Sequence, residues 1–191
     1  MSRSPFRSST SLALLALAVA VAATTIGCGD DDCGPQGAPT SGLVAGDDQI
    51  TITYGNLTAG LNNDCPDADA PDGIVSMTIM GQQTDGTGLL TLCVSRPDRF
   101  ASEELGLGND VAASDVHVVD VTGSANNCTF RLDTTRPPTG TASSDGLCNN
   151  GAGTEGFALV VDGALSLQRT CGTTVDSVSV TLRGRVAVAA Q

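Results

Sequence analysis

The chain has 191 residues, with 21 acidic residues against nine basic ones, all of them Arg, and a formal charge of -12. That length suits one domain with an appended segment; the lack of Lys excludes Schiff-base chemistry, and the negative charge argues against electrostatic binding of nucleic acid. With one Tyr, no Trp and 3% aromatics, any core has to be aliphatic.

Residues 1–28 read MSRSPFRSSTSLALLALAVAVAATTIGC. Arg3 and Arg7 form a positive start with no acid to offset them, and Leu12–Ala23 is an unbroken apolar run. A membrane-crossing helix needs ~20 apolar residues, so this run is the length of an export-signal core. It stops at Thr25-Ile26-Gly27-Cys28, which resembles the lipobox of bacterial lipoproteins. The resemblance covers residues 1–28 only. It implies cleavage before Cys28, a diacylglycerol on the Cys28 thiol and often a third acyl chain. Gly29, rather than Asp, follows Cys28; within the class this implies the outer membrane, on its periplasmic face or at the cell surface. Thr25 departs from the aliphatic residue usual at its position. The lipid is then the membrane contact, because an acidic body stands off from an anionic bilayer.

Seven cysteines occur, at 28, 33, 65, 93, 128, 148 and 171. Setting Cys28 aside for lipid leaves six, an even number suited to disulfides in an exported chain. Six cysteines allow 15 connectivities. The turn-rich segment between Cys128 and Cys148, with Arg136-Pro137-Pro138 and Gly140, favours a Cys128–Cys148 bond. Cys93–Cys171 and Cys33–Cys65 follow by elimination. No C-x-x-C or Cys/His spacing points to zinc.

Residues 28–48 are rich in Gly, Pro and Asp and carry no period, so they read as a flexible, solvated tether. Asp30-Asp31-Asp32 belongs to it as a solvated charge run. From residue 49 to 191 the pattern is that of a single β-domain. Ile50, Ile52 and Tyr54 alternate with Thr; Val75, Met77 and Ile79 alternate with Ser and Thr; Leu90, Leu92 and Val94 share a face opposite Thr91, Cys93 and Ser95. Residues 116–121 (VHVVDV), then Cys128, Phe130 and Leu132, then 157–161 and 164–169 continue the series. The last run places Val178, Val180, Leu182, Val186 and Val188 on one face, with Gly184 on that face as a bulge or point of close packing. Val161-Asp162-Gly163-Ala164 reads as a hairpin turn. Pro97 and the residues to Gly106 support at most a turn or two of helix. About eight strands with turn-rich links predict an antiparallel β-sandwich, or alternatively a β-barrel, with disulfides.

Chemistry is sparse in the pattern. His117 stands in a strand run, on the parity of Val119 and Val121, without a nucleophile motif, and reads as structural or surface. Residues 62–73 (NNDCPDADAPDG) hold the weak cation candidates Asp64, Asp67, Asp69 and Asp72. The EF-hand pattern fails there, with Pro71 at the fifth position and Thr78 where the bidentate Glu belongs; a polar loop tied down by Cys65 accounts for it. The sequons at Asn56 and Asn127 are incidental in a bacterial chain. The expectation is a monomeric, lipid-anchored cell-envelope protein without cofactor or catalytic residue, binding a protein or glycan or serving as structure. The alternatives are a calcium-stabilised adhesion-like module and a hydrolase with a carboxylate-based site.

Overall fold

The computed structural model describes residues 42–47, 49–61, 65, 76–109, 115–149 and 155–190. Its strands are β1 (Leu43–Gly46), β2 (Thr51–Leu61), β3 (Met77–Gln83), β4 (Leu89–Val94), β5 (Leu105–Gly108), β6 (Val116–Ala125), β7 (Cys128–Leu132), β8 (Thr139–Asn149), β9 (Glu155–Cys171) and β10 (Thr174–Ala190). One helical turn, α1 (Pro97–Phe100), follows β4 with Pro at its start, where a missing N–H costs nothing.

All ten strands join one sheet, and the pairings close a ring: β2–β3–β4–β6–β7–β9–β10 and back to β2, directly and through β1. The fold is all-β and almost wholly antiparallel, and of the two expected architectures the pairing follows the barrel. It is flattened at one end, where Tyr54 of β2 reaches Thr122 of β6 and a Cβ on Gly123 would lie 2.8 Å from Ile52 Cδ1. At the other end Phe100 of α1 plugs the interior edge-on to Phe157, with ring centroids 5.9 Å apart.

The period-2 pattern explains which side faces in. Ile50, Ile52, Tyr54, Ile79, Leu90, Leu92, Val94, Leu159, Leu165, Leu167, Leu182 and Val188 are buried in one aliphatic core. At ~1.5–3 kcal/mol per buried side chain, this burial is what drives closure. The outer face carries Thr51, Ser179, Thr181 and Arg183, with a few exposed apolar residues such as Met80 and Leu89. That is the reverse of a lipid-facing barrel, whose apolar band points outward.

Several local expectations are corrected. Residues 161–164 do not turn: β9 runs straight through them, pairing with β10 along its whole length. Gly163 is there for close approach. A Cβ on it would meet Leu107 Cδ1 at 2.6 Å and the Thr139 carbonyl oxygen at 2.9 Å, and the facing Gly140 has φ +117°. At this point β9 changes neighbour, from β8 to β7. The real turns lie elsewhere. Asn126 and Asn127, both at positive φ (52° and 61°), make the two-residue β6–β7 link, as a type I′ turn requires. Gly172-Thr173 links β9 to β10. Gly184 is a point of close packing, 3.2 Å from the Gly42 carbonyl oxygen to a built Cβ.

His117 does not share parity with Val121. A bulge in β6 lets Val118 face Leu92 and Asp120 face Thr91, so Val119 is pushed out to solvent. The strands also begin within the segment that composition assigns to the tether. Leu43–Gly46, inside the expected tether, is a strand wedged between β10 and β2.

Candidate functional site

The disulfides differ from the expected pairs. Cys65 bonds Cys93 and Cys128 bonds Cys171, with Cα separations of 5.5 and 4.4 Å. The expected Cys128–Cys148, Cys93–Cys171 and Cys33–Cys65 bonds are thereby excluded. Strand order is the reason. Cys128 opens β7, which pairs with the far end of β9, whereas Cys148 stands in β8 opposite Gly156 near the start of β9. Fifteen residues of strand separate Gly156 from Cys171, ~50 Å of chain path. Cys65–Cys93 lies on the outer side of β4, where Cys93 faces His117 in register. Cys65, Cys93 and His117 are all buried there, in a small outer layer.

Cys28 and Cys33 lie outside the described residues, as do Asp64, Asp67, Asp69 and Asp72. Among the described residues, no group of three or more His, Cys, Asp or Glu is placed to hold a metal. Asn56, of the first sequon, sits at φ 51° in the β2 bulge.

The candidate binding surface is a polar cleft of about 430 Å³ on the outer wall, which no local motif announces. It forms because β10 is longer than β1 and β2, the strands on its other side. On the side away from β9, β10 takes β1 at Thr181–Arg183 and β2 at Ala189–Ala190. β1 then leaves it at Gly46. The carboxylate of Asp47 enforces the departure: its Oδ1 accepts the amides of Gln49 (2.7 Å) and Ile50 (2.8 Å). The Asp47 amide donates to the Ile50 carbonyl at 2.9 Å, closing the turn into β2. Beyond this turn, Val175–Ser179 has no strand on that side among the described residues. Thr51, Ser179, Thr181 and Arg183 line the cleft, with Val44, Gly46 and Asp47 at its margin.

Two features define its chemistry. Thr181 Oγ1 donates to the Gly46 carbonyl oxygen at 3.1 Å, holding the wall. Arg183, by contrast, is exposed and forms no ion pair among the described residues. Other arginines are engaged: Arg96 with Asp98, Arg99 with Glu103 and Asp115, Arg169 with Asp176, Arg185 with Asp145. The Arg96 and Arg169 guanidiniums hold the Asp98 and Asp176 carboxyls below their ordinary range through hydrogen bonds. Among the described residues, the cleft therefore offers hydroxyls, an open strand edge and an unpaired guanidinium. Such groups bind extended polar chains and carboxylates. His117 lies in β6, three strands round the sheet from β2.

No family model, curated protein or solved structure matches the chain.

Proposed function

We propose that the protein is a lipid-anchored β-domain of the bacterial cell envelope that acts by binding, through the cleft beside the end of β1. The observation that carries the binding reading is the conjunction of an open β10 edge with the unpaired Arg183 in a wall of Thr and Ser. An acidic protein whose other arginines are mostly paired with carboxylates leaves this guanidinium available to a ligand carboxylate or a chain of hydroxyls. The lipobox-like Gly27-Cys28 supports the anchor. Two disulfides fit the oxidising compartment to which such a signal leads. Leu43 opens β1, so a tether from Cys28 would join the barrel at one point of its wall.

Two measurements test the reading. Mass spectrometry of membrane-extracted protein should find Cys28 as the first residue with added acyl mass, and Cys28→Ala should move the protein out of the membrane fraction. A free Cys28 thiol on the processed protein defeats the anchor. Amide chemical-shift mapping against panels of acidic peptides and oligosaccharides should perturb Thr51, Ser179, Thr181 and Arg183. Ligand shifts that map elsewhere, or turnover of a panel member, defeat the binding assignment.

A further inference from the structure

The two disulfides occupy different surroundings, and we infer that Cys128–Cys171 is a thiol–disulfide exchange site, open to a dithiol in the folded protein, whereas Cys65–Cys93 is closed. The contrast begins with position. Cys128 is the first residue of β7, directly after the Asn126-Asn127 turn, and Cys171 is the last of β9, directly before the Gly172-Thr173 turn. The bond thus ties two adjacent hairpin tips at one end of the barrel. Both cysteines are part-exposed, and Asn126, Asn127, Gly172 and Thr173 beside them are exposed. Cys128 also packs against the core, so the approach of a thiolate to this bond is from the exposed turn side. Cys65 and Cys93 are 6% and 1% exposed, with Thr78 and His117 buried beside them. Exchange depends on access to the sulfur as well as on thiolate reactivity, so burial blocks the second bond.

Register explains why exchange at the tip is reversible. β7 and β9 pair from Thr129↔Thr170 to Leu132↔Leu167, which sets Cys128 opposite Cys171 without help from the bond. Their Cα separation of 4.4 Å is that of a non-hydrogen-bonded pair, ~4.5 Å in antiparallel sheets. After reduction the four ladder pairs and the buried Phe130 and Leu132 still hold the two thiols face to face.

The step balances as an ordinary two-electron exchange. One thiolate of an external dithiol attacks a sulfur of the pair, a mixed disulfide forms, and the other cysteine leaves as a thiolate and takes a proton. The second thiol of the reagent then displaces the mixed disulfide. The products are two cysteine thiols and the oxidised reagent. The chemical class of partner is therefore a small or protein dithiol.

Full-length oxidised protein is treated with graded dithiothreitol under native conditions, alkylated at intervals and mapped by mass spectrometry. Label at Cys128 and Cys171 should appear on the order of tenfold or more faster than label at Cys65 and Cys93, with the far-ultraviolet circular dichroism unchanged. Removing the reagent and adding glutathione disulfide should restore the bond without unfolding. Equal rates for the two bonds, prior loss of Cys65–Cys93, or label that tracks loss of structure would each overturn the inference. The Cys128→Ser/Cys171→Ser double variant should lack the early phase; if it does not fold, the order of labelling in the native chain still decides.

Discussion

The hydroxyl of Tyr54, in β2, donates to the main-chain carbonyl of Thr122, in β6, at 2.8 Å, across the flattened end of the barrel. The ring is fully buried. Burial pushes its phenol well above the ordinary value, and the nearby Asp120 carboxylate adds to the shift. The neutral form is therefore the one the fold accepts. Its contribution is fully present below the unfolded value of ~10 and is lost as pH rises through the folded one. This is the sole Tyr, and there is no Lys to titrate beside it. Tyrosinate absorbance should thus stay low above pH ~10 in the native protein and appear together with unfolding. Tyr54→Phe should cost about 1 kcal/mol at neutral pH, because the Thr122 carbonyl loses its partner. It should also flatten the alkaline limb of the stability curve. Phenolate absorbance that rises near pH ~10 while the fold persists would contradict the buried assignment.

Gly163 tests the course of β9. Since a Cβ there would press on Leu107 Cδ1 and the Thr139 carbonyl, Gly163→Ala should destabilise by ~1–3 kcal/mol, as overpacked sites do. Gly106, with nothing within 4 Å of its built Cβ, is the control, and Gly106→Ala should leave thermal stability nearly unchanged. If residues 161–164 formed a solvated hairpin turn instead, Gly163→Ala would lack this steric cost.

Strand faces are legible in the sequence because burial follows a period of two: Ile50, Ile52 and Tyr54, or Leu90, Leu92 and Val94, enter the core as alternation requires. Features set by distant partners are not. Leu43–Gly46 is too short to show a period, and it becomes a strand because β10 and β2 leave a slot for it. Thr139–Asn149, rich in Gly, Ser and Thr, is a strand because β9 lies alongside. Asp162-Gly163 has turn chemistry, yet close approach to β5 and β8 uses the same missing side chain. The cleft draws on residues near 46, 51, 180 and 183, which meet only after the ring closes, so no local spacing reports it.

Gln83 shows how one polar side chain fastens the flattened end. Although 5% exposed, it donates from Nε2 to the Ser124 carbonyl (2.7 Å) and to Asp85 Oδ1 (2.9 Å), while Oε1 accepts the Ser124 amide (2.9 Å). A single side chain thus takes both main-chain groups of a β6 residue. Gln83→Ala leaves a part-buried donor and acceptor without partners, which should cost ~1–3 kcal/mol. Hydrogen exchange should locate the loss: the Ser124 amide should exchange faster, while those of Leu90 and Leu92 keep their protection. Unchanged exchange at Ser124 would mean the clamp carries no weight.

The cysteine count leads to a further expectation about the tether. Cys65–Cys93 and Cys128–Cys171 account for four cysteines. If Cys28 is acylated, Cys33 and Cys148 remain, and an oxidising compartment favours their union. Peptide mapping of non-reduced protein should then recover a Cys33–Cys148 linkage and no free thiol. The consequence is a matter of reach. A tether free from Cys28 to Gly42 spans at most ~50 Å, but one stapled at Cys33 leaves five residues and ~18 Å between lipid and barrel. Cys148→Ser should therefore raise the ceiling on the domain's height above a supported bilayer from ~18 Å toward ~50 Å, measurable by energy transfer from a label on the barrel to a membrane dye. Free thiols at Cys33 and Cys148, or a height that does not respond to Cys148→Ser, would show that the barrel hangs from the longer tether.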